Sequence, residues 1–277
     1  MLVFPNCKIN LGLNIVQKRA DGFHDIETVF YPVNWCDALE IIEGQTDHEP
    51  FTFSQSGILI QGKKEENLIY KAWQFISEIK AITPIKVHLH KTIPMGAGLG
   101  GGSADAAFLI SLLNQKFKLG LTSNQTKAIA TRLGSDCSFF TENKPVLATC
   151  RGDLFSPVKI DLSPYYILVV YPGINSNTKE AYTNCKPKAP AKDLRSIIEN
   201  IAVEDWKNYL TNDFENTVFI KYPEIKKLKE DLYNSGAIYA CMSGSGSSVF
   251  GIFKKEPMLN FDKHYNFYLQ TPVSKIL

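Results

Sequence analysis

The residues best suited by type and spacing to do chemistry form a glycine-dense loop, Pro94-Met95-Gly96-Ala97-Gly98-Leu99-Gly100-Gly101-Gly102-Ser103-Ala104, with five glycines in seven positions. Glycine tolerates positive φ and has no Cβ to block approach, so such a stretch can turn its backbone N–H groups toward one point. An apolar helical run follows immediately, and its N-terminal partial positive charge falls at the same place. That combination suits a phosphate. The chain is therefore expected to bind a nucleotide.

Three common phosphate loops compete for this stretch. Gly96, Gly98 and Gly101 satisfy G-x-G-x-x-G between a strand and a helix, as in dinucleotide-binding folds. Those folds also want an acidic residue about 20 positions later for the ribose. Between Asp105 and Asp136 this chain has no Asp or Glu. Gly96 to Ser103 also approaches G-x-x-x-x-G-K-[ST], but Gly102 stands where the lysine belongs, so the β/γ phosphates lose that point charge. A protein-kinase glycine loop is out of place near residue 100, and no H-R-D or D-F-G follows. A glycine turn serving only helix–strand packing needs fewer glycines than five.

The elements that must position the loop are legible around it. From Lys8 to Val16, Ile9, Leu11, Leu13 and Ile15 alternate with Lys8, Asn10, Gly12 and Asn14, predicting a half-buried strand with a polar second face. Further strands are expected at Thr28–Val33, Ala38–Glu43, Ile58–Ile60 and Ile85–His90, the last running into Pro94 and the glycines. Helices are expected over Ala104–Phe117, with Ser103 or Asp105 able to cap it, and over Thr126–Leu133, stopped by Gly134. Strands return around 145–160, at Tyr166–Tyr171, Ile238–Met242 and Val249–Phe253, with a Pro/Lys-rich connector at 186–193. One late helix has Pro223 near its start and Gly236 past its end. The mixture reads as α+β in two parts, dividing near 150–160.

Composition narrows the function classes. At 277 residues, 44% hydrophobic and 21% charged, the chain reads as a soluble globular protein. A net charge of +2 and the lack of a long basic stripe give no reason to expect nucleic acid. No apolar run approaches the roughly 20 residues of a membrane span, so no membrane partner is expected. Six scattered cysteines without a C-x-x-C pair argue against zinc or disulfides and fit a cytoplasmic protein. His88 and His90 share a strand face, but no acidic or cysteine partner follows closely, and no metal site is expected.

Pro94 to Asp105 resembles the P-x-G-x-G-L-G-S-S-A loop of the GHMP small-molecule kinases, a superfamily that includes galactokinase, homoserine kinase and mevalonate kinase. Other landmarks agree: Lys8-Ile9-Asn10-Leu11, Arg19-Ala20-Asp21-Gly22-Phe23-His24, Leu133-Gly134-Ser135-Asp136 and Met242-Ser243-Gly244-Ser245-Gly246-Ser247. With the triple-glycine form of the loop, they are similar to a branch acting in non-mevalonate isoprenoid synthesis. The resemblance spans residues 8 to 253.

It implies an N-terminal β/α domain carrying the phosphate loop over 1–153 and a C-terminal ferredoxin-like α+β domain over 154–277. It implies ATP, with Mg²⁺ carried on it, phosphorylating the 2-hydroxyl of a cytidyl-diphosphate-linked methyl-erythritol. Asp136 would accept or orient the hydroxyl proton, with Lys8 beside it neutralising developing charge. Read alone, Asp136 serves equally as a helix cap, and Lys8 as a solvated charge. Pro94 to Ala104 would hold the ATP phosphates, and Asn67, Leu68, Ile69 and Lys91 the adenine. Asn10, Phe23, His24, Phe30, Thr178 and Tyr182 would bind the acceptor substrate, the aromatic rings sandwiching cytosine. Core packing is the competing reading for Phe23 and Phe30. Phe23 stands where the family often has tyrosine, and Cys137-Ser138 departs from the family's commoner apolar-plus-proline. Rival readings are a homoserine- or mevalonate-type kinase, a nucleotide-binding regulator without turnover, and a nicotinamide oxidoreductase.

Overall fold

The computed structural model describes residues 1–45, 49–183, 185–190, 192–258 and 264–273. Ala191 of the Pro/Lys-rich connector lies outside the described residues. Two units emerge, each drawn from separated segments. One comprises Met1–Cys7, Asn34–Met95 and Gly100–Lys144; the other comprises Lys8–Val33, Gly96–Leu99 and Pro145–Leu277.

In the first unit, strands Leu2–Val3, Ala38–Glu43, Ile85–Lys91 and Phe51–Gly57 lie side by side in that order. Phe51–Gly57 runs parallel to Ile85–Lys91, while the other pairs are antiparallel. Alternation builds the sheet's inner face: Ile85, Val87 and Leu89 are buried against helices Leu68–Ile79 and Gly101–Lys116. The expected strand at Ile58–Ile60 is corrected. Gly57 adopts φ +75° and ends the strand begun at Phe51, and the register with Ile85–Lys91 closes there. Helix Ser123–Leu133 opens on a capping box between Thr122 and Gln125, and helix Ser135–Glu142 follows directly.

The glycine loop leads into its helix three residues earlier than expected. Gly101 and Gly102 are already helical, and Gly100, in the left-handed region, is the N-cap. Neither Ser103 nor Asp105 caps the helix as expected, because both lie inside it. Gly101 belongs in the helix for a packing reason: a Cβ there would fall 2.8 Å from Ile93 Cγ2.

The second unit holds two sheets. One orders Asn6–Lys18, His24–Cys36, Val146–Thr149 and Leu154–Pro157. The other is antiparallel and orders Tyr239–Met242, Val249–Phe253, Tyr166–Tyr171 and Asn266–Gln270. Numbered along the chain, this second sheet reads 2-3-1-4, the strand order of a ferredoxin-like layer. Helix Pro223–Asn234 buries Ile225, Leu228 and Leu232 in the same core as Leu168, Val170 and Val249. The strand through Lys8 departs from expectation in one respect. Both of its faces are buried from Asn6 to Leu13, so Lys8 and Asn10 sit inside the protein rather than on a wet face.

Candidate functional site

The glycine loop orients its backbone by spending its carbonyls inward. Gly96, Gly98 and Gly100 all take positive φ, at +62°, +77° and +72°. Ser248 N donates to the Ala97 carbonyl at 3.1 Å, Lys8 N to the Leu99 carbonyl at 2.9 Å, and Ser243 Oγ to the Gly98 carbonyl at 2.9 Å. No acceptor among the described residues takes the backbone N–H groups of Gly96 to Ser103. Successive unpaired amides running into a helix start make an anion-binding concavity. Gly98 admits no other residue, since a Cβ there would lie 2.0 Å from the Ser243 carbonyl oxygen.

Lys8 is fixed beside this loop. Only 4% exposed, it donates from Nζ to Asn10 Oδ1 at 2.7 Å and to the Gly98 carbonyl at 3.2 Å. Its ammonium stands 4.8 Å from the centre of the Phe30 ring, a cation–π distance. Asn10 was expected to touch substrate, yet it is 1% exposed and its amide is engaged throughout. Its oxygen accepts from Lys8 and from Ser243 Oγ at 3.3 Å, and its nitrogen donates to Thr28 Oγ1 at 2.9 Å. Phe30, also expected in the substrate pocket, is 2% exposed and meets Phe155 edge-on. Both are buried against Lys8.

The remaining substrate residues lie in the same unit. His24 stacks on Tyr182 with ring centroids 5.0 Å apart and planes 19° from parallel. Burial, with the Lys18 charge, lowers the pKa of its imidazole from the ordinary histidine value. Phe23 is 56% exposed, with the Arg151 guanidinium 5.4 Å from its ring centre. Arg151 is itself held by Asp153 at 3.0 Å. Thr178 shares a hydrogen bond with Ser245 Oγ at 2.8 Å, which ties it to the late glycine-serine loop.

The expected adenine residues converge in the first unit. Asn67, Leu68, Ile69, Lys91, Met95 and Gly102 line one cleft of ≈ 350 Å³. Asn67 accepts from Ile69 N at 2.9 Å and so starts the helix that forms one wall. Lys91 lines this cleft and carries a buried ion cluster. Its ammonium is committed to Asp37 and to Asp105 Oδ2, the latter at 2.7 Å. Burial opposes the lysine's charge, but the Asp105 and Asp37 carboxylates hold it above the ordinary lysine range. Burial pushes the Asp105 carboxyl up to about 7, with Asp37 adding repulsion against the pull of Lys91. A second hollow, ≈ 330 Å³ and lined by Asn14, Lys188, Leu194, Tyr209 and Asp213, contains none of the expected residues.

Asp136 occupies the first turn of helix Ser135–Glu142, half-buried, with the helix N-terminus favouring its negative charge. One position on, the Cys137 thiol is pushed up to about 11 by burial and bonds with Ser103. Ser103, expected at the phosphates, thereby links the loop helix to the helix bearing Asp136.

Sequence reasoning missed Thr28, Asn212 and Asp37; it placed Asp105 only as a helix cap and Ser243 only within the late glycine motif. Asn212 is buried and donates to the carbonyls of Met242 and Gly244, at 2.8 Å each, which shapes the late loop. The Ser-Gly repeat at 243–247 was the available signal for Ser243. The others carry no local pattern.

Comparison with known proteins adds the lineage. A model described as GHMP kinases N terminal domain matches residues 67–143, and one described as GHMP kinases C terminal matches residues 190–260. A Bacteroides fragilis protein named 4-diphosphocytidyl-2-C-methyl-D-erythritol kinase is 47% identical over 98% of this chain and 99% of its own length. A Cytophaga hutchinsonii protein of that name is 48% identical over 93% of this chain and 94% of its own. A crystal structure of 4-(cytidine 5'-diphospho)-2C-methyl-D-erythritol kinase superposes with a TM-score of 0.77 at 28% identity, covering 91% of this chain and 90% of that one. Homoserine kinase from Cytophaga hutchinsonii shares the fold, with a TM-score of 0.65 at 14% identity over 97% and 95% of the two chains.

Proposed function

From its membership of the GHMP kinase family, we propose that the chain transfers the γ-phosphoryl group of ATP to the 2-hydroxyl of 4-diphosphocytidyl-2-C-methyl-D-erythritol, a step of non-mevalonate isoprenoid synthesis. The observation that carries the reading is the ammonium of Lys8 held on the carbonyl of Gly98, inside a loop whose amides are free to take an anion. Phosphoryl transfer asks little covalent work of the protein; it asks for in-line positioning and compensation of charge.

In this reading the amides of Gly96 to Ser103 hold the ATP phosphates, and the cleft of Asn67, Leu68, Ile69 and Met95 takes the adenine. Mg²⁺ bound with ATP would supply further charge compensation for the phosphates held on these amides. Lys8 lowers the pKa of the acceptor hydroxyl and stabilises the oxygen as charge develops on it. Asp136 orients that hydroxyl and receives its proton. The acceptor oxygen bonds to the γ-phosphorus, the bond to the β–γ bridging oxygen breaks, and ADP leaves. His24 and Tyr182 form an aromatic shelf for cytosine, with Phe23 as the exposed ring beside it. Residues 1–153 and 154–277 would be the two functional domains, acting in the cytoplasm. Among the described residues no helix is long and apolar enough to cross a membrane.

Cytidine recognition has a direct test. CMP is expected to compete with the acceptor alcohol, raising its apparent KM while leaving kcat unchanged. Steady-state assays that show no competition well above the acceptor KM would remove the cytosine shelf from this reading.

A further inference from the structure

We propose that Lys91, Asp37 and Asp105 form a positioning cluster that pins both ends of the phosphate loop, so that the Lys91 ammonium acts on the nucleotide through the loop backbone. The proposal rests on ATP being the ligand of that loop. At the upstream end, Asp37 Oδ1 accepts from Thr92 N at 2.6 Å and Ile93 N at 2.9 Å, fixing the last backbone before the glycines. At the downstream end, Asp105 sits one turn into the loop helix and accepts from Lys91 Nζ at 2.7 Å. Lys91 joins the two by donating also to Asp37 Oδ2.

These are the points between which the chain leaves the first unit, after Met95, and re-enters it at Gly100. Left-handed glycines give the loop little stiffness of its own; bonds to the Ala97, Gly98 and Leu99 carbonyls hold its middle, and the cluster holds its ends. Gly101 shows how close the packing is: a Cβ there would lie 3.0 Å from Lys91 Nζ. The ammonium therefore backs directly onto the first residue of the loop helix.

The cluster is poorly built for stability alone. Lys91 and Asp105 are each 1% exposed, two carboxylates share one ammonium, and Asp105 Oδ1 is buried without a partner. Apolar side chains of similar volume commonly replace buried ion groups with no loss of stability. What they cannot reproduce is a directional tie between residues 14 and 54 positions apart in sequence.

The test uses the full chain, Mg²⁺ and a non-hydrolysable ATP analogue, with binding measured by calorimetry. Asp105→Asn keeps an oxygen acceptor for Lys91 and is expected to bind the analogue within about threefold of the parent. Asp105→Leu cuts the downstream tie. It is expected to weaken analogue binding and raise the KM for ATP by on the order of 10- to 100-fold. The acceptor KM and the kcat at saturating ATP should stay near parental values in the folded variant. Should Asp105→Leu lower the melting temperature, Asp105→Ala is read by the same criteria. Parental affinity in the leucine and alanine variants overturns the proposal. Equal loss in Asp105→Asn and Asp105→Leu also overturns it, because the charge itself would then be what the nucleotide senses. A parental chain that fails to bind the analogue overturns the nucleotide reading instead, and shows itself before any variant is compared.

Discussion

Replacing Asp136 with alanine is expected to lower kcat by on the order of 10²–10⁴-fold, the range for lost acid–base help. The protein should remain folded. Asp136 lies in the first turn of its helix, where a carboxylate contributes about 0.3–1 kcal/mol through the helix dipole, so its loss leaves the core untouched. Asp136→Asn separates two versions of the role. Phosphoryl transfer through a loose transition state demands little early deprotonation, so a carboxylate that mainly orients the hydroxyl can be partly replaced by an amide. One that must take the proton cannot. In either case the effect should appear in kcat more than in the KM of ATP. A purified, folded Asp136→Ala variant that loses less than threefold would remove this residue from the mechanism.

Lys8→Met is expected to reduce kcat by on the order of 10²–10³-fold, comparable to removing one preorganised charge-stabilising donor. Methionine preserves the packing on Phe30. The single hydroxyl proton of Ser243, which lies 2.9 Å from the Gly98 carbonyl and 3.3 Å from Asn10 Oδ1, can then serve only one of the two acceptors. The stability loss should be about 1–3 kcal/mol, the cost of leaving one buried acceptor short of a donor. Thermal melting separates the two effects: a large fall in kcat with a small change in Tm is the expected pair. Unchanged kcat with a raised KM for ATP would make Lys8 a strut of the loop and nothing more.

Local chemistry made much of the scaffold legible in the sequence. Ala38–Glu43, Tyr166–Tyr171 and Val249–Phe253 are strands to the residue, because alternating or compact apolar runs end there at turn-forming neighbours. Gly134 and Gly236 terminate helices as their positions imply. The failures have physical causes too. The apolar residues Ile58 and Ile60 look strand-like, but pairing with Ile85–Lys91 selects Phe51–Gly57 instead, and cross-strand register is not written in a local pattern. Gly101 and Gly102 read as loop because glycine is a weak helix former, yet both are helical, and at Gly101 the approach of Ile93 leaves no room for a Cβ.

The same limit governs the site. The glycine loop was visible as a type and spacing, while Lys8, His24 and Tyr182 stood out through the family resemblance. What holds them was not. Asn10 and Ser243 meet across 233 positions, and Lys91 reaches Asp37 across 54.

Release of ADP in the presence of three alcohols tests the central claim most directly: 4-diphosphocytidyl-2-C-methyl-D-erythritol, homoserine and mevalonate, each with Mg²⁺ and ATP. The account predicts turnover with the cytidyl-linked alcohol and a kcat/KM for the other two lower by on the order of 10³-fold or more, since neither carries the base that the aromatic shelf would hold. Equal or greater turnover with homoserine or mevalonate, or no ADP release with any of the three, would contradict it.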